Sequence, residues 1–264
     1  MLAVMSFNLR FDNPKDGPNA WPYRRSAAAA LLREHAPHLI GTQEGLAGQL
    51  AELEESLVGY AAFGSGRRGP REDEHCRVFY RTDTLKLRRH GDFWLSDTPD
   101  VVGSISESWG SVLPQMATWG EFEQTSSGAR FTFLNTHLDH ASAAARDRGA
   151  QQIVRFLRRS DIPHPVILAG DLNAGPDSPP LKLLTGDLPV DESPSRLRDA
   201  YRLSGGQGAG KPTFHGFTGQ GWERIDYILV EAPLRVTRYA LLDERVEERW
   251  VSDHYPVLAV IEGL

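Results

Sequence analysis

Nine short runs rich in Val, Ile, Phe and Tyr, each closed by turn residues, commit most of this chain to sheet. They fall at 2–8, 38–43, 75–81, 116–123, 130–137, 165–170, 225–230, 234–241 and 256–261. Only four stretches show helical spacing. Residues 22–35 carry Pro22 near the first turn and end before Pro37, and 46–57 interleaves acidic and apolar positions. Residues 142–159 follow Ser142 as N-cap and put Ala145, Gly149, Ile153, Phe156 and Leu157 on one side. A short helix at 178–185 follows Asp177 or Ser178 as cap. Many strands and few helices imply sheets packed face to face with helices outside.

Six of the nine runs carry an acid, amide or imidazole near one end. "LAVMSFN" ends on Asn8 and "HLIGTQE" on Glu44. "RFTFLNTH" ends on Asn135 and His137, which share a face because strand side chains alternate. "VILAGDLN" delivers Asp171 and Asn173 together, with Leu172 turned back into the core. "ERIDYILV" carries Asp226, and Asp253 and His254 precede the last run. Singly, each has an ordinary explanation. Asp171 can cap a turn, Glu44 can cap the helix at 46, Asp226 can pair with Arg224, and Asp253 with His254 can form an exposed turn.

Taken together, they imply a shared cleft. Two like charges ~4 Å apart repel by roughly 4 kcal/mol at an effective dielectric near 20. Gathered carboxylates must therefore protonate or hold a cation. An all-oxygen carboxylate set with no cysteine selects a hard ion, Mg²⁺ or Mn²⁺. Such an ion with His and Asn donors beside it suits phosphoryl chemistry, in which negative charge develops and must be stabilised.

Bulk properties narrow the setting. The 264 residues contain one cysteine, Cys76, which excludes a disulfide framework and a Cys-rich zinc site. No leader-like start and no membrane span are read, so a soluble, cytoplasmic protein is expected; a monomer is expected separately. No linker divides the chain, and 1–264 reads as a single domain. A net charge of −6 argues against a surface built to grip long duplex DNA. The segment "GSGRRGPRED" concentrates three arginines, either as a solvated loop or as a local cationic patch.

The motifs "FN" (7–8), "TQE" (42–44), "NTHLDH" (135–140), "GDLN" (170–173), "ERIDYI" (223–228) and "SDHYPV" (252–257) resemble, as an ordered set, the signature blocks of the endonuclease/exonuclease/phosphatase superfamily. "LRFDNPKDGPNAWPYRR" and "GDFWLSDTPD" further resemble a bacterial subgroup of metal-dependent hydrolases of uncertain substrate. The resemblance implies an α/β, four-layer αββα sandwich with the active cleft at one edge. It implies Mg²⁺ or Mn²⁺ as cofactor, with Glu44 as the main metal ligand, Asn8 beside it and Asp253 at a second position near the metal. It assigns Asp171 to orient and deprotonate the attacking water, and Asn173 to fix that water or a phosphoryl oxygen. His254 would contact the scissile phosphate, held by Asp226, and His137 would donate to a phosphate oxygen.

Two positions depart from the pattern. Arg10 stands where some nucleases of the superfamily have an acid, with Asp12 as a substitute further on, and Gln115 stands where the subgroup is expected to have arginine. Substrate-side candidates are Arg10, Asn135, Glu74 and Trp222, with His75 and His140 as further cleft-edge residues. The leading expectation is a phosphohydrolase that cleaves phosphodiesters of nucleic acid or a nucleotide derivative. Alternatives are a phosphomonoesterase or phospholipid head-group phosphatase with the same site, and an inactive phosphate-binding module.

Overall fold

A computed structural model describes residues 1–264. Its strands, in chain order, are β1 (Leu2–Asn8), β2 (Leu39–Gln43), β3 (Tyr60–Phe63), β4 (Val78–Arg81), β5 (Leu85–Trp94), β6 (Met116–Gln124), β7 (Arg130–His137), β8 (Val166–Asp171), β9 (Leu197–Asp199), β10 (Asp226–Glu231), β11 (Arg235–Leu241) and β12 (Val257–Glu262). They form two six-stranded sheets, ordered β11-β12-β1-β2-β4-β3 and β5-β6-β7-β8-β10-β9. The helices are α1 (Trp21–His35), α2 (Ala47–Ser56), α3 (Ala143–Leu157), α4 (Pro179–Thr185) and the single turn α5 (Ala200–Leu203). The architecture is the expected four-layer sandwich.

Three apolar layers hold the four structural layers together. Between the sheets lie Val4, Leu39, Phe133, Ile167, Ile228, Val230 and Ile261. Beneath α1 and α2 lie Met5, Phe7, Leu31, Leu32, Ile40, Leu50 and Leu53. Beneath α3 and α4 lie Ile153, Val154, Leu168, Leu181, Leu184 and Leu229. Central strands are therefore buried on both faces, which is why they read as continuous apolar runs rather than alternating ones.

Each sheet contains one parallel pair at its centre, β1 with β2 and β7 with β8; the other neighbours run antiparallel. The C-terminal ends of these four strands point to one edge of the sandwich. The antiparallel β10 and β12 bring their N-terminal ends to that edge. This arrangement carries the polar strand ends into one place: C-terminal residues from four strands and N-terminal residues from two.

Local expectations hold with some corrections. Ser142 caps α3 by accepting from Ala145 N (3.2 Å). Ser178 occupies the cap position of α4, but its hydroxyl donates back to Gly175 O (2.5 Å). Glu44 does not cap α2; Gln49 Oε1 takes that role, accepting from Leu46 N (3.1 Å). The run at 75–81 shortens to β4, because His75 bridges instead to Gly45 and Gly66. Strands β3, β5 and β9, not anticipated from the sequence, are all sheet edges.

Candidate active site

Three exits at this edge turn through left-handed backbone. Arg10 (φ 53), Glu44 (φ 62) and Asn173 (φ 46) follow β1, β2 and β8. For a side chain other than Gly this conformation costs roughly 1–2 kcal/mol, less for Asn. Each turn throws the chain sharply off its strand. Glu44 thus lies just beyond β2, not within it. Asn173 likewise does not share a strand face with Asp171: β8 stops at Asp171, whose Oδ1 accepts from Asn173 N (2.9 Å) to close the turn.

At the centre, Asn8 Nδ2 donates to Glu44 Oε1 and to Asp171 Oδ2, both at 2.9 Å. Asn8 is itself fixed by Arg10 N, which donates to its Oδ1 (2.9 Å). Glu44 Oε2 accepts from Phe11 N (3.2 Å). Asp226 sits directly across from Asp171 in the β8–β10 register, and His137 across from Asp171 in the β7–β8 register. His254 Nδ1 donates to Asp226 Oδ2 at 2.9 Å, leaving Nε2 3.8 Å from Asp171 Oδ2. Asn173 Nδ2 lies 3.0 Å from both Leu138 O and His137 Nε2. The Leu138 carbonyl can only accept, so the amide group faces both atoms. His137 Nε2 also lies 3.5 Å from Asp171 Oδ2, and its Nδ1 lies 3.9 Å from Glu74 Oε2.

The charges are strongly biased. Burial works against the His254 cation, yet the carboxylates of Asp226 and Asp171 outweigh it and raise the pKa well above 6.5. Burial and Asp226 raise Asp171. Burial also opposes the Glu44 anion, but His137, His254 and the Asn8 hydrogen bond hold its pKa below the ordinary value. Burial, with the Glu44 charge, raises Asp253. Burial and Glu44 push Glu74 up to about 7.

A pH dependence follows. His254, raised above 6.5, contributes stability that is whole below that pH and lost as pH climbs through its elevated pKa. The raised Asp171 acts in the same sense, from the ordinary carboxylate range upward. In chelator, Tm is therefore expected to fall between pH 6 and pH 9. A flat or rising Tm over that interval would show that the pair does not hold its proton.

The donor set fits a hard divalent cation. Glu44, His137 and Asp171 place ligand atoms within 4.8 Å of one another, as do Asp171, Asp226 and His254. The two carboxylates of Glu44 and Asp171 meet across one neutral amide, and Asp226 Oδ1 has no hydrogen-bond partner. Oxygen donors dominate both groups.

Around this centre lies a hollow of about 550 Å³ whose walls include Arg10, Phe11, Arg67, Glu74, Leu113, His140, Phe214 and Asp253. Arg10 reaches it while gripped by Asp16 (2.9 Å) and facing Asp253 (3.7 Å). Asp12 does not line the hollow. Asn135, expected on the substrate side, is fully buried between the sheets. It donates to Thr42 O (2.8 Å), accepts from Gln43 Nε2 (2.7 Å), and a Cβ at Gly41 would come within 2.7 Å of it. It is a strut between the two sheets. His75 points away, with Nδ1 3.1 Å from Gly45 O. Trp222 is 62% exposed and packs on Phe214 (5.3 Å), one ring out from the wall. Gln115 is buried and its Nε2 has no partner.

Two arginines escaped the sequence reading. Arg24 is buried and donates to Asn19 O, Leu9 O, Val251 O and Arg10 O. It ties the exit of β1 to the segment leading to His254. Its trace in the sequence is a cation on the buried face 24, 27, 28, 31, 32 of α1. Arg67, from the arginine-rich loop, is 6% exposed and lines the hollow. Nothing local distinguishes it from Arg68, which stays outside and pairs with Asp73 (2.9 Å).

Comparison with known proteins places this geometry. The model of the Endonuclease/Exonuclease/phosphatase family matches residues 5–254. The mannosyl-6-phosphatase of Bacteroides thetaiotaomicron VPI-5482 is 33% identical, with 100% of both chains covered and a TM-score of 0.85. An endonuclease/exonuclease/phosphatase of Bacteroides vulgatus is 31% identical over 99% of this chain and 98% of its own, with a TM-score of 0.88. Nocturnin of Drosophila melanogaster is 32% identical over 108 residues, 39% of this chain but only 15% of that protein's length. No helix is long and apolar enough to cross a membrane.

Proposed function

Because this chain belongs to the Endonuclease/Exonuclease/phosphatase family, we propose that it is a Mg²⁺- or Mn²⁺-dependent phosphoric ester hydrolase acting on a small phosphomonoester. The observation that carries the chemistry is the meeting of Glu44, Asn8 and Asp171 with the Asp226–His254 pair at one strand edge. Glu44, with Asn8 beside it, would hold the cation, which supplies Lewis acidity toward a phosphoryl oxygen. Asp171 orients a water and takes its proton. The His254 cation, its Nδ1 tied to Asp226, presents Nε2–H to the phosphate as charge develops. Asn173 and His137 set the opposite wall.

The small substrate is favoured over nucleic acid, the leading expectation from sequence, on charge and size. Arg10 and Arg67 line the hollow, and each is already paired with carboxylates. The chain as a whole carries a net charge of −6, which does not favour a long polyanion. A full-length relative bears the name mannosyl-6-phosphatase. One observation favours the nucleic-acid reading: the exposed Trp222 on Phe214 offers a shelf on which a base can stack.

The test is a panel of mannose 6-phosphate, p-nitrophenyl phosphate, bis-p-nitrophenyl phosphate and oligonucleotides, with Mg²⁺, Mn²⁺ or chelator. Metal-dependent phosphate release, faster from monoesters, is expected. Preference for oligonucleotides would move the assignment to a nuclease, and absence of any metal-dependent turnover would end the hydrolase reading. Glu44→Gln is expected to raise the Mg²⁺ concentration for half-maximal activity on the order of 100-fold, since it removes a ligand rather than a supporting contact. An unchanged metal titration would remove Glu44 from the cation site.

A further inference from the structure

Arg67 and Glu74 stand side by side in the wall of the hollow, one residue out from the reacting centre. Arg67 Nη2 donates to Glu74 Oε1 (2.9 Å) and its Nε faces Asp73 Oδ1 (3.0 Å). That leaves Arg67 Nη1 and Glu74 Oε2 with no protein hydrogen bond; His137 Nδ1 lies 3.9 Å from Oε2, beyond direct reach. The Nη1 N–H groups and one carboxylate oxygen, on two residues that line the same hollow, are thus left unbonded.

The pair is rigid before any substrate arrives. Arg67 N donates to Glu74 O (2.9 Å), and Trp94 Nε1 donates to Arg67 O (2.7 Å). His75 next door bridges to both Gly45 and Gly66. The segment is pinned to the exit of β2 on one side and to β5 on the other. Such fixing lowers the entropy lost when a ligand binds. Leu113 and Phe11 supply apolar wall in the same hollow.

We infer that the Arg67–Glu74 pair reads adjacent hydroxyls on the leaving group, which makes the substrate a phosphorylated sugar or similar polyol. A vicinal diol offers a donor and an acceptor on adjacent carbons, and its C–H face suits the apolar wall. Arg67 and Glu74 act here as specificity residues. This inference rests on the monoester reading above and adds to it the chemistry of the alcohol.

The experiment compares kcat/KM for mannose 6-phosphate with that for cyclohexylmethyl phosphate, which keeps the six-membered ring and primary ester but has no ring hydroxyls. Wild type is expected to favour the sugar at least about 100-fold, because a site built to bond hydroxyls rejects an analogue that leaves its polar groups unpaired. In Glu74→Gln and in Arg67→Lys, that ratio is expected to fall about tenfold or more, mainly through KM for the sugar. Equal losses on both esters, carried by kcat, would overturn the inference and assign the pair to His137. No preference in wild type, or turnover confined to oligonucleotides, would also overturn it. Should neither monoester be turned over, the hydrolase reading fails separately. Calorimetric binding of mannose 6-phosphate and its analogue to wild type and Glu74→Gln then still decides the pair's role. Circular dichroism of each variant checks that the fold is kept.

Discussion

Asp171→Asn is expected to lower kcat by about 10³-fold or more at saturating metal, within the range lost with a positioned general base. Stability in chelator should change little. Asp171 is 1% exposed, so it is a buried carboxylate. Burial and the facing Asp226 already disfavour its charge. Asparagine keeps the shape and removes that repulsion, at the expense of one of the two bonds from Asn8 and Asn173. A variant with kcat within tenfold of wild type would remove Asp171 as the base. A Tm drop of more than ten degrees would instead mark Asp171 as a residue of the fold.

His254→Ala is expected to damage both activity and stability. The imidazole is the cation between Asp226 and Asp171, which face each other across paired strands. Removing one partner of a buried ion pair costs about 3–5 kcal/mol, because the remaining charges are left uncompensated. Turnover should fall about 10³-fold with the loss of a charged donor to the phosphate. The double variant His254→Ala with Asp226→Asn separates the two effects. Stability in chelator should recover substantially, since the orphaned charge is gone, while activity stays lost. Additive destabilisation in the double variant would show that the pair does not share one electrostatic interaction.

Most of the sandwich was legible because its inner strands are buried on both faces and leave an unbroken apolar record. Three of the four edge strands left none; the fourth, β11, is visible as the run 234–241. β3 and β9 have four and three residues, and β5, "LKLRRHGDFW", carries Lys86, Arg88 and Arg89 on exposed positions. Edge strands are short and charged because an apolar open edge would pair with other chains, and that protection hides them from a pattern search. The direction of the polar ends was a usable signal: Asn8, Glu44, His137 and Asp171 follow their runs, whereas Asp226 and His254 precede theirs. Such a reversal is what antiparallel neighbours require if all six are to meet.

By itself the sequence determined which polar side chains stand at the strand ends, since burial, alternation and residue type are written in near neighbours. Only the tertiary structure decided that Asn135 braces the sheets, that Arg24 clamps the carbonyls under the site, and that Arg67 rather than Arg68 enters the hollow. Those outcomes depend on backbone turns at the strand exits and on segments more than a hundred residues apart coming within 3 Å, as Asn8 and Asp171 do at 2.9 Å. Distances of that kind are set by register and packing, which no local stretch of chain contains.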